Sequence, residues 1–167
     1  MFKILGSLFI VLFISACGYK PSSYYAQEAL GERIHVEVEI SRKDPKNSVL
    51  IKDAVNESVI TRLGGKLSDK ETADTELFVK IASTTFSAVL YDEYGYVVSY
   101  KAKVVLSIRY VTKDGNKDSF TTSGEYDFPI EANSVISDTN RFEAIKYASL
   151  DALNEFVSKI SVKGMKK

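Results

Sequence analysis

From residue 32 onward the chain switches between two rhythms of apolar and polar positions. Ile34, Val36, Val38 and Ile40 alternate with polar residues from Arg33 to Ile40, which predicts a half-buried strand. Asp44-Pro45 supplies an N-cap and a proline suited to the first helical position. Ile51, Ala54, Val55, Val59 and Leu63 then share a helical stripe, and Gly64-Gly65 closes it. Thr75 to Tyr91 is rich in β-branched and aromatic residues, and Asp92-Glu93-Tyr94-Gly95 reads as a turn. Tyr96 to Thr112 carries the longest alternation: Val98, Tyr100, Ala102, Val104, Leu106, Ile108 and Tyr110 fall on one face. After a turn at Asp114-Gly115-Asn116, Ser119 to Phe128 returns with Phe120, Tyr126 and Phe128 on one face. Beyond Pro129 a loop leads to a second helix. Asn140 with Glu143 resembles a capping box, and Phe142, Ile145, Ser149, Ala152, Leu153, Phe156, Val157 and Ile160 form the stripe.

The predicted order is β-α-β-β-β-α. Each strand has one apolar face and each helix one apolar stripe. The expected fold is α+β: a two-layer sandwich, with a four-stranded, mostly antiparallel sheet and two helices on one face. Hairpin register follows from parity. A three-residue loop at Asp114-Gly115-Asn116 sets Tyr110 opposite Phe120 and Lys103 opposite Asp127. A two-residue Asp-Gly loop would set Arg109 opposite Phe120 and mix the faces.

The first 16 residues have a different character. Lys3 precedes an apolar run from Ile4 to Ile14, broken only by Gly6 and Ser7, and Ser15-Ala16 leads into Cys17. This is the n-region, h-region and small-residue cleavage site of a signal peptide. The run is too short for a spanning helix, which needs about 20 apolar residues. Cys17, the chain's only cysteine, stands where the lipobox of bacterial lipoproteins places its acylated residue. Gly18 follows it rather than an aspartate, which favours the outer membrane, with the protein held on the periplasmic side by its acyl chains. The expected division is 1–16 signal peptide, 17–31 lipidated N-terminus and tether, 32–163 single domain and 164–167 tail.

Composition narrows the function. The chain has 167 residues, 45% hydrophobic and 26% charged, with 22 basic and 22 acidic side chains. That suits one globular domain and gives no basic bias toward nucleic acid. One cysteine and one histidine, His35, cannot build a metal cluster or a disulfide. His35 points away from Ile34 and Val36 and reads as an edge or exposed residue. No nucleophile elbow occurs, and Gly64-Gly65-Lys66 lacks the rest of a phosphate loop. No catalytic residue, metal or cofactor is expected, and the chain reads as non-enzymatic.

Two features point to binding. The central hairpin carries apolar residues on both faces near its tip, where Leu90, Tyr94 and Val97 are candidates for partner contact. Lys101, Lys103 and Arg109 share the strand face opposite the core. Lys103 is expected to pair with Asp127, which leaves Lys101 and Arg109 to meet an anion such as a phosphate.

Taken together, Cys17-Gly18-Tyr19 after the lipobox, the order of elements and the closing segment "YDFPIEANSVISDTNRFEAIKYASLDAL" resemble the LPS-assembly lipoprotein family LptE. The resemblance implies a plug inside the outer-membrane β-barrel LptD that helps insert lipopolysaccharide into the outer leaflet and binds it. Lipopolysaccharide binding carries over loosely to Lys101, Lys103 and Arg109. The alternative is an outer-membrane lipoprotein with a structural or chaperone role in another envelope complex, without lipopolysaccharide binding.

Overall fold

The computed structural model describes residues 20–39, 45–131 and 134–166. The elements in chain order are α1 (Ser22–Leu30), β1 (Arg33–Val38), α2 (Pro45–Thr61), β2 (Lys66–Leu67), β3 (Thr75–Tyr91), β4 (Val97–Thr112), β5 (Lys117–Pro129) and α3 (Asp138–Gly164). Cys17, the signal segment and the Asp44 cap lie outside the described residues.

The two-layer α+β arrangement stands, with corrections. The sheet has five strands in the order β2-β1-β3-β4-β5, not four. It is mixed: β1 runs parallel to both β2 and β3, while β3–β4 and β4–β5 are antiparallel. Among the described residues three helices are present rather than two. The segment from Ser22 to Leu30, expected as tether, is a helix that buries Ala26, Ala29 and Leu30. Ser161 Oγ donates to the Ser22 carbonyl at 2.8 Å, which fixes this helix to the end of α3. Gly164, expected in a free tail, is buried as the last residue of α3, and a Cβ there would sit 1.9 Å from the Tyr25 carbonyl oxygen. The helix α3 starts at Asp138 under a Ser137 cap whose side chain accepts from the Asn140 N–H, not at the Asn140–Glu143 box.

The core forms where the stripes meet the sheet. Ala102, Val104, Leu106, Ile108 and Tyr110 of β4 are fully buried, with Ile51, Ala54, Val55 and Val59 of α2 and Ile145, Leu153, Phe156 and Ile160 of α3 packed onto the same face. Burying each of the larger of these side chains contributes about 1.5–3 kcal/mol. Among the described residues the opposite sheet face carries no helix, and the outward positions of β4 are mostly polar or charged, with Val105 and Val111 as exceptions.

Both hairpins close with the same device. Gly95 N–H donates to the Asp92 carbonyl and Gly115 N–H to the Thr112 carbonyl, and both glycines are left-handed, at φ 82 and 81. The three loop residues are therefore Glu93-Tyr94-Gly95 and Lys113-Asp114-Gly115, each a turn followed by a left-handed glycine. The second loop lies one residue earlier than the expected Asp114-Gly115-Asn116. Register slides by two and leaves every face unchanged. Ile108 opposes Phe120, Tyr110 opposes Asp118, and Lys103 opposes Glu125 instead of Asp127.

The helix α3 guards one sheet edge. Glu155 accepts from the Ser123 N–H at 2.8 Å, Asp151 from the Glu125 N–H at 3.1 Å, and Lys159 donates to the Thr121 carbonyl at 3.0 Å. These side chains recur every four residues and so line one stripe. Gly124 makes the approach possible, because a Cβ there would fall 2.1 Å from the Ala148 carbonyl oxygen. Among the described residues no helix is long and apolar enough to cross a membrane.

Candidate functional site

The candidate surface is the uncovered sheet face together with the β3–β4 tip. Alternation in β4 sends Lys101, Lys103 and Arg109 outward, as expected, but their surroundings differ. Lys101 Nζ lies 2.8 Å from Glu125 and 3.9 Å from Asp127, and Lys103 Nζ lies 3.1 Å from the other oxygen of Glu125. The expected Lys103–Asp127 pair is thus replaced by a Glu125 carboxylate shared between two lysines, and Lys101 is not free. The hydrogen bond to Glu125, with Asp127 adding to it, raises the Lys101 pKa, and the two lysines hold Glu125 below its ordinary value. An anion arriving at the two lysines meets a cluster that is already neutralised in part.

Arg109 is different. Among the described residues no carboxylate lies within ion-pairing distance of it, and its guanidinium stacks on the Phe78 ring at 4.0 Å from the centroid. The β3–β4 register brings the two together, since Phe78 and Arg109 are direct cross-strand partners. They line an open hollow of about 360 Å³ with Glu37, Glu39, Lys80 and Ser107. Lys80 is held by Glu39 at 2.8 Å. The stacked arginine keeps its donor edges for an oxyanion while the ring supports its face. The Phe78 stack escapes the sequence reading because it depends on the pairing of strands 31 residues apart; the outward position of Phe78 in an alternating strand is the signal that points to it.

At the tip the chain leaves its helices behind. Tyr94 is 77% exposed and Leu90 58%, with Val89, Tyr91 and Tyr96 also exposed. Val97 is half-buried and opposes Tyr91. The Asp92 carboxylate accepts from the Tyr94 and Tyr96 N–H groups at 2.9 and 2.8 Å, so the turn is pinned while its aromatics stay outside. His35 sits half-buried at the sheet margin, where its Nδ1 donates to the Ser68 carbonyl at 3.0 Å. Among the described residues no cluster of His, Cys, Asp and Glu could hold a metal.

A mixed sheet with helices on one face and an exposed apolar hairpin tip defines a class of small α+β domains. The model of the family described as LptE, lipopolysaccharide-assembly, matches residues 35–160, and the chain belongs to that family. The fold is similar to a putative lipoprotein of Caulobacter crescentus, at 8% identity, covering 87% of this chain and 97% of that one, with a TM-score of 0.53. It is also similar to the rare lipoprotein B of Shewanella oneidensis, at 12% identity, covering 81% and 98%, with a TM-score of 0.51. No curated protein sequence matches the chain at a significant level.

Proposed function

We propose that the chain is an acyl-anchored, non-enzymatic outer-membrane protein that plugs an LptD-like β-barrel and assists lipopolysaccharide assembly into the outer leaflet. The observation that carries this reading is the family match over residues 35–160, which spans nearly the whole sheet and most of α3. Cys17 bears the lipid and holds the domain on the periplasmic side of the membrane. Leu90, Tyr94 and Val97 contact the barrel. Arg109 is the leading group for a lipopolysaccharide phosphate, with Lys101 and Lys103 secondary because Glu125 already engages them.

The physics suits that role. Lipid A joins phosphates to acyl chains, so a donor-rich arginine beside aromatic and aliphatic side chains answers both chemistries. A porin-type lumen is polar, which matches a near-neutral domain with a hydrophilic uncovered face. The test is purification of the full chain, by an affinity tag placed after Lys167, from a lipopolysaccharide-producing envelope. A stoichiometric complex with one large β-barrel is expected. A chain that elutes alone from detergent-solubilised outer membrane would overturn the plug.

A further inference from the structure

The two margins of the long hairpin are treated differently. On the β5 side, α3 places Asp151, Glu155 and Lys159 against the strand's outward N–H and C=O groups. On the other side, β1 pairs with β3 only along Thr75–Val79, and Glu39 N–H makes the last bond, to the Val79 carbonyl, at 2.9 Å. Among the described residues β3 runs on to Tyr91 paired with β4 alone. Five residues separate Glu39 from the start of α2 at Pro45. Glu39 lies level with Lys80, and five residues at about 3.3–3.6 Å each reach no farther along β3 than Phe86, so Ser87–Tyr91 lie beyond the chain's own connection.

Such a margin is normally blunted by charge or proline. Between Lys80 and Asp92 β3 has neither. Its outward side chains here, Ser83, Thr85 and Ser87, are small and exposed. We propose that this edge of β3, from Ser87 toward the tip, takes up an extended segment of a partner polypeptide as an added strand.

The chemistry selects the occupant. A strand edge is a row of alternating backbone donors and acceptors, and an extended polypeptide alone repeats that alternation in step. Val89, Leu90 and Tyr91, exposed at the tip end of the same strand, add apolar contact where the ladder ends. A second copy of this chain fits poorly. Two β3 edges paired about a two-fold axis must oppose residues of one face, so the axis passes through a residue such as Thr85 or Phe86. The register shifts at Ile81/Ser83 and Ala88/Leu90 leave Ala82 and Val89 as the extra residues, and these lie evenly about the point between Thr85 and Phe86. Each bulge would then meet regular backbone in the other copy. The inference holds whichever protein supplies the strand and does not rest on the plug reading.

The test uses the full chain in its own cells, with p-benzoylphenylalanine placed singly at Ser87, Val89 and Tyr91, and at Thr121 and Ser123 beside the guarded edge as controls. After irradiation, adducts from the three β3 positions are expected several-fold above the controls. They should map to one partner segment at sites that step by two residues. Adducts no stronger than the controls, adducts scattered without that step, adducts to a second copy's β3, or adducts to lipid would each overturn the proposal.

Discussion

Arg109 and Asp74 show how far one side chain's neighbours decide its work. Arg109 is stacked on Phe78 and unpaired among the described residues, whereas Lys101 and Lys103 share Glu125. Charge reversal at Arg109 is therefore expected to weaken lipopolysaccharide binding at least tenfold, since a hydrogen bond to a charged group contributes about 1.5–3 kcal/mol. Reversal at Lys101 should cost less, because Glu125 and Asp127 have already claimed it. Titration of lipopolysaccharide into each purified variant checks the order, and equal losses would show that the arginine is not privileged. Asp74 accepts from the Arg33 backbone N–H at 2.9 Å and from its guanidinium at 2.7 and 3.3 Å. Those bonds lower its pKa from 3.8 to about 2. A depressed carboxyl contributes stability that is full above its unfolded pKa and is lost as pH falls through the folded one. The wild-type urea midpoint should thus fall between about pH 4 and pH 2, and Asp74→Asn should flatten part of that fall while lowering the midpoint at pH 7.

At the scale of elements, α3 and β5 meet backbone to backbone. A methyl group at Gly124 would meet the Ala148 carbonyl oxygen at 2.1 Å and the Ala152 nitrogen at 2.3 Å, both rigid backbone. Gly124→Ala should push the helix off the edge and cost about 1–3 kcal/mol or more. Amide exchange at Ser123 and Glu125 should accelerate together, because their acceptors Glu155 and Asp151 ride on that helix. Loss of stability with those amides still protected would contradict the account. What the sequence reveals of these elements follows the physics of burial. β4 alternates from Ser99 to Tyr110, broken only by the outward Val105, because one face is dry and the other wet, so its outward Lys101, Lys103 and Arg109 could be read directly. Parity likewise excludes the two-residue loop. The loop's exact place was missed because weight fell on the Asp-Gly pair, whereas the left-handed glycine must come last in this loop type. The helix α1 was missed because only Ala26, Ala29 and Leu30 are buried in it, behind a proline, two serines and two tyrosines. The parallel pairing of β1 with β3 leaves no local trace, since it joins Ile34 to Thr75 across a helix. Of the candidate site, positions were legible and partners were not.

For the molecule as a whole, α1 changes what the N-terminus does. If Cys17 carries the lipid, only residues 18–21 separate it from Ser22, a reach of about 14 Å. The folded domain would then sit against the membrane rather than hang on a long leash. Cys17→Ser should leave the chain unprocessed or release it from the membrane, which fractionation of the envelope reads; normal retention would refute the anchor. A chain beginning at Lys20 should unfold cooperatively in urea. One beginning at Glu32 uncovers the end of α3 and loses the burial of Ala26, Ala29 and Leu30, and it should be less stable by about 3–5 kcal/mol.

The long hairpin also works as a gauge. The Lys113–Gly115 turn lies beside Gln27–Gly31 of the N-terminal segment, while Tyr94 sits at the far end of β4. With 16 residues at about 3.3 Å each, β4 sets the aromatic tip about 50 Å away from that end. Such a rule is graduated in steps of two. Removing two paired residues from each strand between the bulges should draw the tip in by about 7 Å and keep every side chain on its own face. Removing one from each shortens it half as much but turns Val89, Leu90 and Tyr91 to the opposite side. If the distance from anchor to tip is what a partner measures, complementation should decline smoothly across even deletions and collapse at odd ones.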